Sequence, residues 1–176
     1  MLIKKLGLLL LCVCSTTLLA QTKATVSPST DPRIEILGDN YQPISGVAAT
    51  QSHIVVYRLA DSQLPGVTSV LVNGSYHASL LKGAWTDLCL GPASVQFTLR
   101  QTVAGQMTPK RAAPLSLALE AGRTHYLQVV DSADAPVLQT VSAMQAEREL
   151  PATRKQLHTL SRAAQTCEPV ASAATN

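Results

Sequence analysis

Residues Thr68 to Leu81 read TSVLVNGSYHASLL, and this stretch decides the fold. A β-branched and apolar run (Thr68 to Val72) meets the pair Asn73-Gly74, and a second run (Ser75 to Leu81) follows. Asn-Gly is the favoured pair for a type I′ turn, because both of its positions need φ > 0. The stretch therefore predicts a β-hairpin.

Working outward, the same grammar repeats on both sides. His53 to Leu59 (HIVVYRL) is rich in β-branched and aromatic residues, and Asp61 to Gly66, ending Pro65-Gly66, is a turn. Ala84 to Leu90 is a strand, closed by a Gly91-Pro92 turn. In Ser94 to Gln101 the residues Val95, Phe97 and Leu99 alternate with Gln96, Thr98 and Arg100, the period of a half-buried strand. Residues 103–113 form a polar loop carrying Lys110 and Arg111. Leu115, Leu117 and Leu119 then alternate with smaller residues. Thr124 to Val130 and Pro136 to Val141 complete the series, and Ile34 to Leu37 is a candidate first strand. About 7–9 short strands at this spacing predict an all-β fold, an antiparallel β-sandwich (Ig-like or a partly open barrel).

The end of the chain differs. Ser142 followed by Gln145 resembles a capping box, so a short C-terminal helix is expected there. Pro151 suits the first residue of a second helix over 152–164, with His158 to Ser161 as an alternative strand. Residues 34–168 are thus read as a β-sandwich domain with a C-terminal helix, and 169–176 as a disordered tail.

The first twenty residues read as a signal peptide. Lys4 and Lys5 precede an apolar core, Leu6 to Val13, that is shorter than the ~20 residues of a membrane-spanning helix. Residues 21–33 (QTKATVSPSTDPR) form a polar arm expected to be disordered. Cleavage after Ala20 is expected, with Ser15 or Ala24 as alternatives. Cys12 and Cys14 follow Leu11 and Val13, where a lipid-anchored chain has a small residue, so both read first as apolar filler, with a lipid anchor as the alternative.

Composition narrows the function. The chain has 176 residues, 46% hydrophobic and 14% charged, with 14 Lys+Arg against 11 Asp+Glu and a net charge of +3. That is too apolar for a disordered chain. The charge is too small for a nucleic-acid binder, which needs a clustered basic face. Losing Lys4 and Lys5 with the leader lowers +3 to +1. Cys89 and Cys167 then remain, and an even count in an exported chain favours one disulfide. Such a bridge is worth roughly 3–5 kcal/mol in the chain-entropy model. The rival reading, a reactive thiol at Cys89, requires a nearby base and access.

Four stretches together, HIVVYR (His53 to Arg58), VLVNGSYHASLLKGAWTDLCL (Val70 to Leu90), LEAGRTHYLQV (Leu119 to Val129) and TRKQLHTLSR (Thr153 to Arg162), resemble an uncharacterised β-rich domain of exported proteobacterial proteins. In some of those it precedes an OmpA-like peptidoglycan-binding domain. The pattern is also similar to that of small envelope lipoproteins of unknown function. The resemblance covers roughly residues 50–168. It implies an exported β-sandwich in the periplasm, outer membrane or surface of a Gram-negative bacterium, and implies no activity. No OmpA-like stretch or lipid-attachment cysteine is read here, so neither anchor is carried over.

The chemistry-bearing residues are few. His53, His77, His125 and His158 lack the close spacing of zinc ligands, and only convergence across a sheet, as of His77 with His125, would join them. There is no G-x-S-x-G elbow and no Gly-rich phosphate loop. Asp87, beside Cys89, is the one acid that stands out. Neither a metal nor a cofactor is expected, and no catalytic residue is assigned. Trp85 is the single Trp, with Tyr57 and Tyr76 on neighbouring predicted strands. It reads first as core volume and second as a binding surface with Tyr76, Lys110 and Arg111. The expected function is that of a non-enzymatic, exported accessory subunit of an envelope or surface assembly. It would contact a protein partner and have no transmembrane span. The alternative is a module binding cell-wall glycan or lipopolysaccharide through Trp85.

Overall fold

The computed structural model describes residues 36–43, 46–109, 112–165 and 167–168. The expected signal peptide, polar arm, Lys110-Arg111 pair and C-terminal tail lie outside them. The described chain is mostly β. Its strands are β1 (Leu37–Asn40), β2 (Ser52–Arg58), β3 (Val67–Val72), β4 (Ser75–Leu80), β5 (Ala84–Leu90), β6 (Ser94–Val103), β7 (Gln106–Met107), β8 (Leu115–Ala118), β9 (Thr124–Val130), β10 (Val137–Val141) and β11 (Arg154–Gln156). They form two sheets and no closed barrel. One sheet has the order β1-β11-β5-β2-β9-β10; the other runs β4-β3-β6, with β7 and β8 pairing further along β6.

The predicted hairpin is β3–β4. Asn73 (φ 49°) and Gly74 (φ 80°) are both left-handed, as a type I′ turn demands. The Asn73 side chain also accepts from the Gln96 backbone N–H at 2.9 Å, which locks the turn to β6. Between the sheets lies the main core: Ile54, Val56, Leu88, Leu127 and Val129 from one side, and Val70, Leu80, Phe97 and Leu99 from the other. The alternation read in β6 is the alternation observed, with Val95, Phe97 and Leu99 buried.

The six-stranded sheet is mixed. β2 pairs antiparallel with β5 but parallel with β9, and β11 pairs parallel with β5. A parallel pair needs a long crossover. Here the chain leaving β2 builds the whole second sheet, and β5 of this one, before it lies down as β9, so local turn signals could not reveal it. Every residue of β2 is buried, because this sheet is covered on both faces. That explains why HIVVYR reads as a continuous run.

The second cover is α1 (Ala143–Glu149). Ser142 caps it, its Oγ accepting from Gln145 N–H at 3.2 Å. The Gln145 side chain does not complete a box; it donates instead to Glu149 Oε1 at 3.1 Å. Pro151 falls in a short 3-10 turn, Leu150–Ala152. The second helix expected over 152–164 is not formed. Arg154 N–H donates to Gly83 O at 2.8 Å, and pairing along β5 outweighs helix propensity. The alternative strand at His158 to Ser161 is also absent, and His158 has φ 56°.

Residues 157–165 form a strap across the open side of the two sheets. Arg162 N–H donates to Tyr76 O on β4 at 2.8 Å, and Gln165 N–H to Cys89 O on β5 at 3.1 Å. The Cys89–Cys167 disulfide fastens its end. No helix among the described residues is long and apolar enough to cross a membrane.

Candidate functional site

Residues of one strand alternate between faces, so β2 sends Ile54 and Val56 inward and His53, Val55 and Tyr57 outward. On β5 the outward set is Trp85, Asp87 and Cys89, opposite Tyr57, Val55 and His53. This outer face, covered by α1 and Tyr41, holds His53, Tyr57, Trp85 and Asp87 among the residues singled out from sequence. A second apolar cluster of Tyr41, Val55, Tyr57, Trp85, Ala146 and Leu150 forms its floor.

Trp85 is 6% exposed. Tyr41 meets it edge-on, with ring centroids 5.1 Å apart and planes at 84°. Lys155 Nζ stands 4.9 Å above its ring, a cation–π contact. Tyr57 OH donates to Glu149 Oε2 at 2.5 Å. Burial and that carboxylate both push the Tyr57 phenol well above its ordinary range, so it remains a donor. Burial, then the neighbouring Tyr126 hydroxyl, does the same to Tyr41.

Beside this aromatic floor sits a charged trio. Asp87 Oδ2 is 3.2 Å from His53 Nε2, and Asp87 Oδ1 is 3.1 Å from Lys155 Nζ. Burial alone would raise the Asp87 carboxyl; the His53 hydrogen bond and the Lys155 charge outweigh it and hold it below the usual carboxylate range. Asp87 is therefore a fixed anion, positioning a histidine on one side and a lysine on the other. His53 is buried and its Nδ1 has no hydrogen-bond partner. That nitrogen is the open valence of the trio.

Of the residues singled out from sequence, Cys89 and Cys167 are joined. Trp85 and Tyr76 are not brought together: Trp85 lies on β5 under Tyr41, while Tyr76 is on β4 of the other sheet, part-exposed, its OH donating to Ser79 Oγ at 3.1 Å. A ring so covered has no open face for stacking a sugar. His77 and His125 do not converge either. His77 bonds Ser161 Oγ at 2.9 Å and Thr86 Oγ1 at 3.2 Å, whereas His125 Nε2 accepts from Glu120 N–H at 3.5 Å. Among the described residues no three His, Cys, Asp or Glu side chains are placed to share a metal ion.

Sequence reasoning noted Asp87 but not its partners. Tyr41 and His53 lie well before Asp87 in the chain and Glu149 and Lys155 well after it, and no spacing rule joins them. Comparison of the chain with protein-family models, with curated proteins and with solved structures finds no match.

Proposed function

We propose that this domain is a non-enzymatic, exported interaction subunit of the cell envelope, and that it docks a partner strand along β10. The observation that carries the reading is the contrast among its sheet edges. β10 (VLQTV) has no charged residue. It pairs only with β9, and its outward N–H and C=O groups meet no partner among the described residues.

Among the described residues the other edges carry some protection. β1 carries Asp39 and breaks register between Leu37 and Asn40. The Arg154 guanidinium also donates to its Leu37 and Gly38 carbonyls at 2.9 and 2.8 Å. β4 is tied to the strap at one end, where its Tyr76 carbonyl accepts from Arg162 N–H at 2.8 Å, and β7 and β8 are only two and four residues long. Charges, bulges, covers and short length are how β proteins blunt an edge. An uncharged edge of five residues is the kind that accepts an added strand.

The test is Thr140→Lys, which sets a charge at an exposed position of β10. In envelope extracts the wild-type chain retains its partner and the variant loses it, with an unchanged thermal midpoint. Equal retention by both overturns the reading.

A further inference from the structure

The direction of the hydrogen bond between Ser161 on the strap and His77 on β4 follows from what else Ser161 holds. Its Oγ accepts from two backbone donors, Ala163 N–H at 3.2 Å and Ala164 N–H at 2.9 Å. A hydroxyl has two lone pairs and one proton, so the proton is what remains for His77 Nδ1, 2.9 Å away. Nδ1 is therefore bare and accepts. The ring proton sits on Nε2 and is donated to Thr86 Oγ1 at 3.2 Å. The side chain is 2% exposed, so both nitrogens depend on these partners.

The strap is anchored on either side of this contact. Leu157 N–H donates to Ile36 O at 2.9 Å, and Gln165 N–H to Cys89 O at 3.1 Å, with the Cys89–Cys167 disulfide just beyond. Between the anchors, Ser161 bonds His77 and Arg162 N–H bonds the Tyr76 carbonyl at 2.8 Å. Leu160 is 84% exposed, and only the small side chain of Ala163 packs on the core rim. Hydrogen bonds to β4 thus carry much of the closure.

We propose that this segment is an acid-released latch: a proton on His77 Nδ1 ends the Ser161 bond and frees residues 158–164 from β4 while both anchors hold. A doubly protonated ring only donates. Its new N–H faces an oxygen whose lone pairs are both taken and whose own hydrogen points back at it. To accept, Ser161 must lose the Ala163 and Ala164 N–H groups that shape its turn; otherwise it must leave the ring. Either course breaks the closed form of 161–164, which includes Arg162.

Burial pushes the ring from its ordinary 6.5 down to about 4, and the Asp87 charge on β5 offsets only part of that. β3 and β4 carry no Asp, Glu, Lys or Arg. Lys155 of β11 is paired with Asp87 at 3.1 Å, Arg154 donates to β1, and Lys82, His158 and Arg162 are exposed. The latch is shut at neutral pH and opens as the pH falls through about 4. Opening bares the Tyr76 carbonyl on the β4 edge.

Nuclear magnetic resonance on the full chain, from about pH 7 to about pH 3, tests this. At the upper end the His77 ring is expected as Nε2–H with a bare Nδ1; an Nδ1–H ring overturns the proposal. The amides of Arg162, Ala163 and Ala164 should shift with the ring's own midpoint. Arg162 should lose at least about tenfold in hydrogen-exchange protection across it, while Val56 and Leu127 keep theirs. Strap amides that ignore that midpoint, or core amides that open with them, overturn it. Ser161→Ala, a change on the strap, removes the bond that favours the bare nitrogen. The ring should then titrate higher and Arg162 should be unprotected already at neutral pH. An unchanged ring midpoint with a protected Arg162 overturns the latch.

Discussion

His77 on β4 and Thr86 on β5 are joined across the two sheets by a 3.2 Å hydrogen bond, and the other nitrogen of the same ring lies 2.9 Å from Ser161 on the strap. One side chain thus ties both sheets to the C-terminal segment. Burial pushes its imidazole from 6.5 down to about 4.

That depression gives a pH dependence with a definite sign. Above the unfolded value of 6.5 neither state binds the proton. As the pH falls from 6.5 towards 4 the unfolded chain takes it up first, so stability declines, by about 3 kcal/mol in total. Below 4 this contribution is flat. Urea unfolding at stepped pH checks it, and His77→Gln should remove most of the slope within that window.

Arg58 is fully buried at one end of the sandwich. It donates to Gly66 O at 2.9 Å, Leu80 O at 3.4 Å, Ser62 Oγ at 3.1 Å and the Leu64 carbonyl. Ser62 Oγ in turn donates to Asp131 at 2.7 Å. Arg58→Met leaves these acceptors stranded and should cost roughly 3–5 kcal/mol. Arg58→Lys should rescue little, since a point-like ammonium cannot span the fork. Denaturant midpoints of the two variants decide it.

Gly66 and Gly74 both hold positive φ, at 64° and 80°, yet they should respond differently to alanine. A Cβ on Gly74 meets nothing within 4 Å, so only backbone strain of about 1 kcal/mol applies. A Cβ on Gly66 runs into the Thr102 backbone carbonyl, and the Arg58 clasp fixes the turn from the other side. Gly66→Ala should therefore be the more destabilising by at least about 2 kcal/mol in urea unfolding.

What the sequence disclosed was local. The Asn73-Gly74 hairpin, the alternation of β6 and the Ser142 cap each depend on neighbours a few residues away. The disulfide was legible because only two cysteines remain once Cys12 and Cys14, in the expected leader, are set aside. β11 was misread as helix because residues 154–156 gain their partner from β5, far back in the chain. The burial of Trp85 depends on Tyr41, whose segment carries no strand signal, and on Lys155. The His53–Asp87–Lys155 trio spans three strands paired only by tertiary topology, so no periodicity records it.

Removing the disulfide by Cys89→Ser/Cys167→Ser should lower stability by roughly 3–5 kcal/mol, given a closed loop of this length. The separation is 78 residues, and the strap segment should lose hydrogen-exchange protection at Arg162 and Gln165 before the sheets do.

The docking reading is tested most directly by photo-crosslinking in cells. A photoreactive residue is placed in turn at Gln139 on β10 and at Asp39 on β1. The account predicts one discrete envelope-protein adduct from position 139 that Thr140→Lys abolishes, and none from position 39. Adducts from position 39 instead, or none from position 139 when the protein is exported at normal levels, would contradict it.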